Sequence, residues 1–191
     1  MRRWLKATRV HNSSVTIHQV SIHYQVEQDR ILMRLRTRDD SLYEIWFTRR
    51  MMSRVLQPLQ QAVAQLALQT AAGGSTIMPE AQQMMLDSAR EKSRQAADFQ
   101  TPFNEAQAER PLGEEPLLVT SVDLQVQGQS ALKFALRDAQ NRQLALELDD
   151  ALAHNIMSLL SAALQQSEWG LMHTAPTVEE TSQPAQTRML N

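Results

Sequence analysis

Three short stretches near the start of the chain alternate apolar and polar residues with period two. Val20, Ile22, Tyr24 and Val26 alternate with Gln19, Ser21, His23 and Gln25. Ile31, Met33 and Leu35 alternate with Arg34, Arg36 and Arg38, and Tyr43, Ile45 and Phe47 with Glu44, Trp46 and Thr48. One apolar face per stretch is the pattern of a half-buried antiparallel strand. Glu27-Gln28-Asp29 and Asp39-Asp40 supply the turns. After Thr48 the period becomes helical, with Met51, Met52, Val55, Leu56, Leu59, Val63 and Leu66 on one stripe. Pro58 predicts a kink or break, because it lacks an N–H and crowds the carbonyl of Arg54. Ala71-Ala72-Gly73-Gly74 predicts the helix end.

The same pattern recurs about 101 residues later. Val122, Leu124 and Val126 form one alternating set, then Leu132, Phe134 and Leu136, then Leu144, Leu146 and Leu148. The last six correspond to Ile31, Met33, Leu35, Tyr43, Ile45 and Phe47. Thr48 corresponds to Asp149 as a helix cap, and Met51, Val55, Leu56, Leu59 and Val63 correspond to Leu152, Ile156, Met157, Leu160 and Leu164. Shared strand parity, cap and helical stripe predict an α+β fold. It is a duplicated βββα unit with an antiparallel or mixed sheet common to both copies and the helices on one face.

A basic arm at 1–15, a first unit at 16–74, a helical insert and linker at 75–116, a second unit at 117–170 and a disordered tail at 171–191 complete the expected organisation. In the insert, Pro79 opens a helix-prone run from Glu80 to Gln100 that Thr101-Pro102 closes. A single unit of about 50 residues has only marginal burial, so one fused domain is expected rather than two separate ones.

Composition narrows the function classes. The 191 residues contain no cysteine, which excludes disulfides and thiol chemistry and fits a cytoplasmic setting. No apolar run is long enough for a membrane span, and Met1-Arg2-Arg3-Trp4 is not followed by the apolar core of a signal peptide. The net charge of −2 is unevenly spread. Residues 1–60 carry 11 Lys/Arg against 5 Asp/Glu, and the remainder carries the compensating acidic excess.

Catalytic signatures are missing: no phosphate-binding glycine loop, no His-Glu-x-x-His, and acidic pairs placed only in turns, caps and tails. His154 is placed to contact Asp150 one helical turn before it. The expectation is a protein that is not an enzyme and holds no cofactor or metal.

The candidate interaction face is the polar side of the first sheet. It carries Arg34, Arg36 and Arg38 from one strand, Glu44 and Trp46 from the next, and His23 from the first. Cations beside an aromatic suit single-stranded nucleic acid. Trp and Arg are equally the anchors of protein interfaces, and cross-strand charge pairs would make the face merely solvated. The second unit replaces the arginine row with Ala131, Lys133, Ala135 and Arg137, which argues against a symmetric nucleic-acid saddle. The favoured reading is a protein-interaction or assembly protein, self-associating as a homodimer. Nucleic-acid binding through the arginine-bearing face is the alternative, and an enzyme of unrecognised type the third.

Overall fold

The computed structural model describes residues 16–72, 84, 87–88, 103, 108–128 and 131–171. The expected basic arm, most of the insert helix and the tail lie outside them. Within the insert, Met84, Asp87 and Ser88 are helical.

The first unit consists of β1 (Ile17–Gln25), β2 (Arg30–Thr37), β3 (Leu42–Thr48) and α1 (Arg49–Ala72). A two-residue strand, β4 (Leu117–Leu118), leads into the second unit: β5 (Ser121–Gln127), β6 (Ala131–Arg137), β7 (Gln143–Leu148) and α2 (Asp150–Ser167). Both sets of three strands are antiparallel meanders, in the orders β1-β2-β3-β4 and β5-β6-β7. The strands divide between two sheets rather than joining into the single sheet expected, because the two meanders turn their apolar faces onto a shared core instead of pairing edge to edge. β4 joins the first of them, parallel to β3, so that sheet is mixed.

The duplication extends to the hydrogen bonds. Ile31 pairs with Phe47 and Leu132 with Leu148, so the second and third strands have the same register in both copies. The turns between them also agree. Thr37 N–H donates to the Ser41 carbonyl at 3.0 Å, and Asp138 N–H to the Arg142 carbonyl at 3.1 Å. Thr37 Oγ1 accepts from Ser41 N–H at 3.1 Å, where Asp138 Oδ1 accepts from Arg142 N–H at 2.8 Å. Asp40 and Asn141 take the left-handed conformation at the equivalent position, with φ of 58° and 61°. Short polar side chains tolerate that region best after glycine. Thr48 Oγ1 then caps α1 by accepting from Met51 N–H at 3.2 Å, and Asp149 Oδ1 caps α2 by accepting from Leu152 N–H at 2.8 Å. One acceptor type has replaced another while the geometry persisted.

The first hairpins differ by one residue. Val20 pairs with Leu35 and Val122 with Leu136, an offset of 102 rather than 101 for the first strand. The loop from β1 to β2 is correspondingly longer, and Val26 falls in it. Expected on the inner face, Val26 is 77% exposed; its alternation stops because the strand has already ended at Gln25.

Pro58 does not break α1, which is continuous from Arg49 to Ala72. Both Pro58 and Arg54 are exposed, so water can serve the carbonyl that loses its donor. In α2 the left-handed cap falls on Glu168, at φ 53°, ahead of Gly170.

Each helix packs less on its own sheet than on the other unit. α2 lies mainly against β1, α1 lies mainly against β5, and the helices touch each other. The inner faces of both sheets therefore belong to one core. Ile31, Leu35, Ile45, Leu66, Leu132 and Leu146 within it have no exposed surface. Neither unit could bury these residues alone. Among the described residues no helix is long and apolar enough to cross a membrane.

A polar clasp closes one end of this exchange. Trp169, just beyond α2, is buried; its Nε1–H donates to Asp29 Oδ1 at 2.7 Å, in the β1–β2 turn. The Tyr24 hydroxyl donates to the same oxygen at 2.8 Å, and the Tyr24 and Trp169 rings meet edge to face with centroids 5.7 Å apart. The Trp169 and Tyr24 donors, aided by Arg49, hold the Asp29 carboxyl below its ordinary value. Donation to Asp29, followed by desolvation, pushes the Tyr24 phenol up.

Two outcomes are expected. Leu59→Ala and Leu160→Ala, at equivalent buried positions, should each cost about 2–5 kcal/mol in urea unfolding; near-wild-type stability in both would mean that the helices do not carry the core. The clasp should bound stability in pH. A carboxyl whose pKa is lower in the folded state stabilises the fold above its unfolded value of 3.8 and loses that contribution as pH falls through the folded value. A phenol raised from 10.0 stabilises below that value and loses the contribution as pH rises through its folded pKa. Unfolding midpoints against pH should therefore show a shallower acid limb in Asp29→Asn and a shallower alkaline limb in Tyr24→Phe.

Candidate functional site

The outer face of the first sheet is set by strand register. His23, Leu32, Trp46 and Leu118 form one row across β1 to β4. Ser21, Arg34 and Glu44 form the next, and Gln19, Arg36 and Leu42 the third. Five of the six candidate residues thus share one surface. Arg38 lies just past β2 in the turn, where it is exposed.

The rows differ in character. Leu32 is buried and Trp46 and Leu118 are half-buried, so the first row is an apolar strip with exposed His23 at its end. The second row is charged and internally paired: Arg34 Nε lies 3.3 Å from Glu44 Oε1. The other oxygen of Glu44 accepts from Arg110 Nη1. Arg110 in turn lies 3.5 Å from Glu114. In the third row Arg36 is buried at 6% exposure, with Nη2 donating to Asp40 Oδ1 at 2.9 Å. Arg34 and Arg36 are therefore charge-paired, Arg36 belongs more to the interior than to the surface, and Arg38 is the exposed member of the row.

Arg110 arrives on the segment expected to be a plain linker. That segment does more: Glu109 N–H donates to the Asp40 carbonyl at 3.0 Å and its carbonyl accepts from Leu42 N–H at 2.7 Å. Val119 N–H donates to the Trp46 carbonyl at 3.0 Å. The intervening turn bonds Gly113 N–H to the Arg110 carbonyl at 2.8 Å, with Gly113 at φ 93°, a value that needs glycine. Arg142 fixes it from the other unit. Its Nη1 reaches the carbonyls of Leu112 and Glu115, and its Nε donates to buried Asp138 at 2.6 Å. Residues 109–119 thus cover the edge of β3 and stand beside the candidate face.

Other sequence candidates have local roles. His154 is buried, with Nδ1 2.9 Å from the Asp150 carbonyl and 3.2 Å from its Oδ1, the contact expected from their spacing. Among the described residues no group of three His, Asp or Glu is placed to hold a metal ion. Arg110, Asp138, Arg142 and Trp169 are the residues that sequence reasoning missed. A tryptophan immediately after an amphipathic helix was the one available signal; a contact spanning 66 residues, such as Arg110 with Glu44, leaves none.

Glu44→Gln should expose the cost of this arrangement by leaving Arg34 and Arg110 without their shared carboxylate. A loss of about 1–3 kcal/mol is expected in urea unfolding. An unchanged value would mean that solvent already screens the pair. Comparison with protein-family models, with curated proteins and with solved structures gives no match in any of the three.

Proposed function

We propose that the chain is a non-catalytic protein-interaction or assembly protein that associates with itself in the cytoplasm. The outer face of the first sheet is its candidate contact surface. The observation that carries this reading is the charge pairing of Arg34 and Arg36. Glu44 takes both Arg34 and Arg110, and Arg36 is buried against Asp40. A nucleic-acid backbone would have to displace those carboxylates before it gained the phosphate contacts and counterion release on which such binding depends. A protein partner needs no such displacement. It can cover half-buried Trp46 and Leu118, with the charge pairs as a rim and Arg38 and His23 at the margins.

The test is a titration of a labelled single-stranded oligonucleotide at low salt, alongside sedimentation of the protein across the micromolar range. The expected outcome is no oligonucleotide binding and a concentration-dependent association. Oligonucleotide binding that disappears when Arg34, Arg36 and Arg38 are replaced together would make the nucleic-acid alternative correct. Trp46→Ala should weaken association with a protein partner more than Arg38→Ala does, because a central aromatic carries more binding energy than a rim cation.

A further inference from the structure

The two units treat their third strand differently, and the duplication shows what the difference means. In the first unit the bond from Thr37 N–H to the Ser41 carbonyl sets the alternation along β3. Residues 43, 45 and 47 face β2, leaving the backbone groups of Leu42, Glu44 and Trp46 directed away from it. Those outward groups are used: Leu42 N–H donates to Glu109, and the Trp46 carbonyl accepts from Val119. In the second unit the equivalent bond, Asp138 N–H to the Arg142 carbonyl, directs the groups of Gln143, Ala145 and Glu147 outward from β7. Among the described residues nothing pairs with that edge. β7 has no proline and no bulge, and its single charge is the exposed Glu147. The other first-sheet edge, β1, is interrupted by a register shift between Ile17 and Gln19.

The geometry points to β7 as the seam of a homodimer: a second copy adds its own β7 antiparallel to this one, with the two-fold axis at Ala145. This rests on the self-associating reading given above but moves the self-contact to β7, leaving the outer face of the first sheet for a different protein partner. The outward groups fix the register. An axis at Ala145 pairs Gln143 with the partner's Glu147, Ala145 with the partner's Ala145, and Glu147 with the partner's Gln143, using every outward group. A shift of the axis by one residue in either direction loses one of these pairs.

Side chains agree with that register. On the outer face it places a carboxylate opposite an amide rather than opposite its own copy. Gln143 is already bonded to Arg137 at 3.4 Å, so the partner's Glu147 completes an Arg–Gln–Glu row. Lys133 is the cross-strand neighbour of Glu147 on its other side. Half-buried Ala145 at the axis leaves room for the strands to close. Leu144 and Leu146 on the inner face stay buried in their own core, and the backbone pairing makes the two three-stranded sheets one of six.

The full chain tests this directly, because it contains no cysteine. Ala145→Pro removes an N–H directed away from β6, so it blocks strand addition while sparing the unit's own ladder. It should raise the sedimentation dissociation constant by roughly tenfold or more. Independently, Ala145→Cys should be captured as a dimer by a short bis-maleimide, whereas Ser158→Cys on the exposed side of α2 should not. A wild type that stays monomeric across the micromolar range overturns the seam. So does a dimer that withstands Ala145→Pro and leaves Ala145→Cys uncrosslinked; if Trp46→Ala dissociates it, the interaction reading stands and only the surface was misplaced. Oligonucleotide binding abolished by the triple arginine replacement would instead remove the interaction reading, whatever β7 does.

Discussion

Each helix rests on the first strand of the other unit, and most of the architecture depends on that exchange. A three-stranded sheet with one helix exposes more apolar surface than it can bury. Crossing α1 onto β5 and α2 onto β1 turns two deficient cores into one. The exchange also explains why Trp169 packs against the turn between β1 and β2. It follows α2 to its end, and α2 ends in the territory of the first unit. A unit removed from this arrangement would lose both its helix packing and its clasp.

The connecting segment has a comparable structural role. By bonding to Asp40, Leu42 and Trp46 it gives β3 a neighbour and hides an edge that would otherwise invite pairing. It also delivers Arg110 to Glu44, which settles the electrostatics of the outer face. Arg142, in the turn that corresponds to Ser41, holds it against the second unit. Where Ser41 donates to Asp39 in its own turn, the longer Arg142 side chain of the duplicate reaches the connecting segment.

The chemistry of the candidate face follows from that delivery. With Arg110 counted, Glu44 is shared by two guanidinium groups, and burial of Arg36 takes a third from the surface. What remains on that face is half-buried Trp46 and Leu118 beside buried Leu32, and on the second sheet the edge of β7, which pairs with nothing among the described residues. Both support the proposed contact with protein. Packing and edge geometry, rather than convergent titratable groups, dominate the described surface.

The sequence by itself determined the local structure. Period two gave the strands, period 3.6 the helices, and a repeat of 101 residues gave their equivalence, including the Thr48 and Asp149 caps. These are interactions between residues a few positions apart, which side-chain spacing records directly. It also placed His23, Arg34, Arg36, Glu44 and Trp46 on one face, because parity along paired strands is local. Tertiary structure decided the rest. Whether the helices cover their own sheet or each other's depends on which arrangement buries more apolar surface, and the same stripe of Leu59 or Leu160 serves either. Whether Arg34 and Arg36 are available to a ligand depends on Arg110, Asp40 and burial. Val26 shows the smaller version of that limit: its alternation continues in sequence, but the hairpin with the longer loop had already turned. Periodicity specifies which face of an element is apolar; only packing specifies what that face meets.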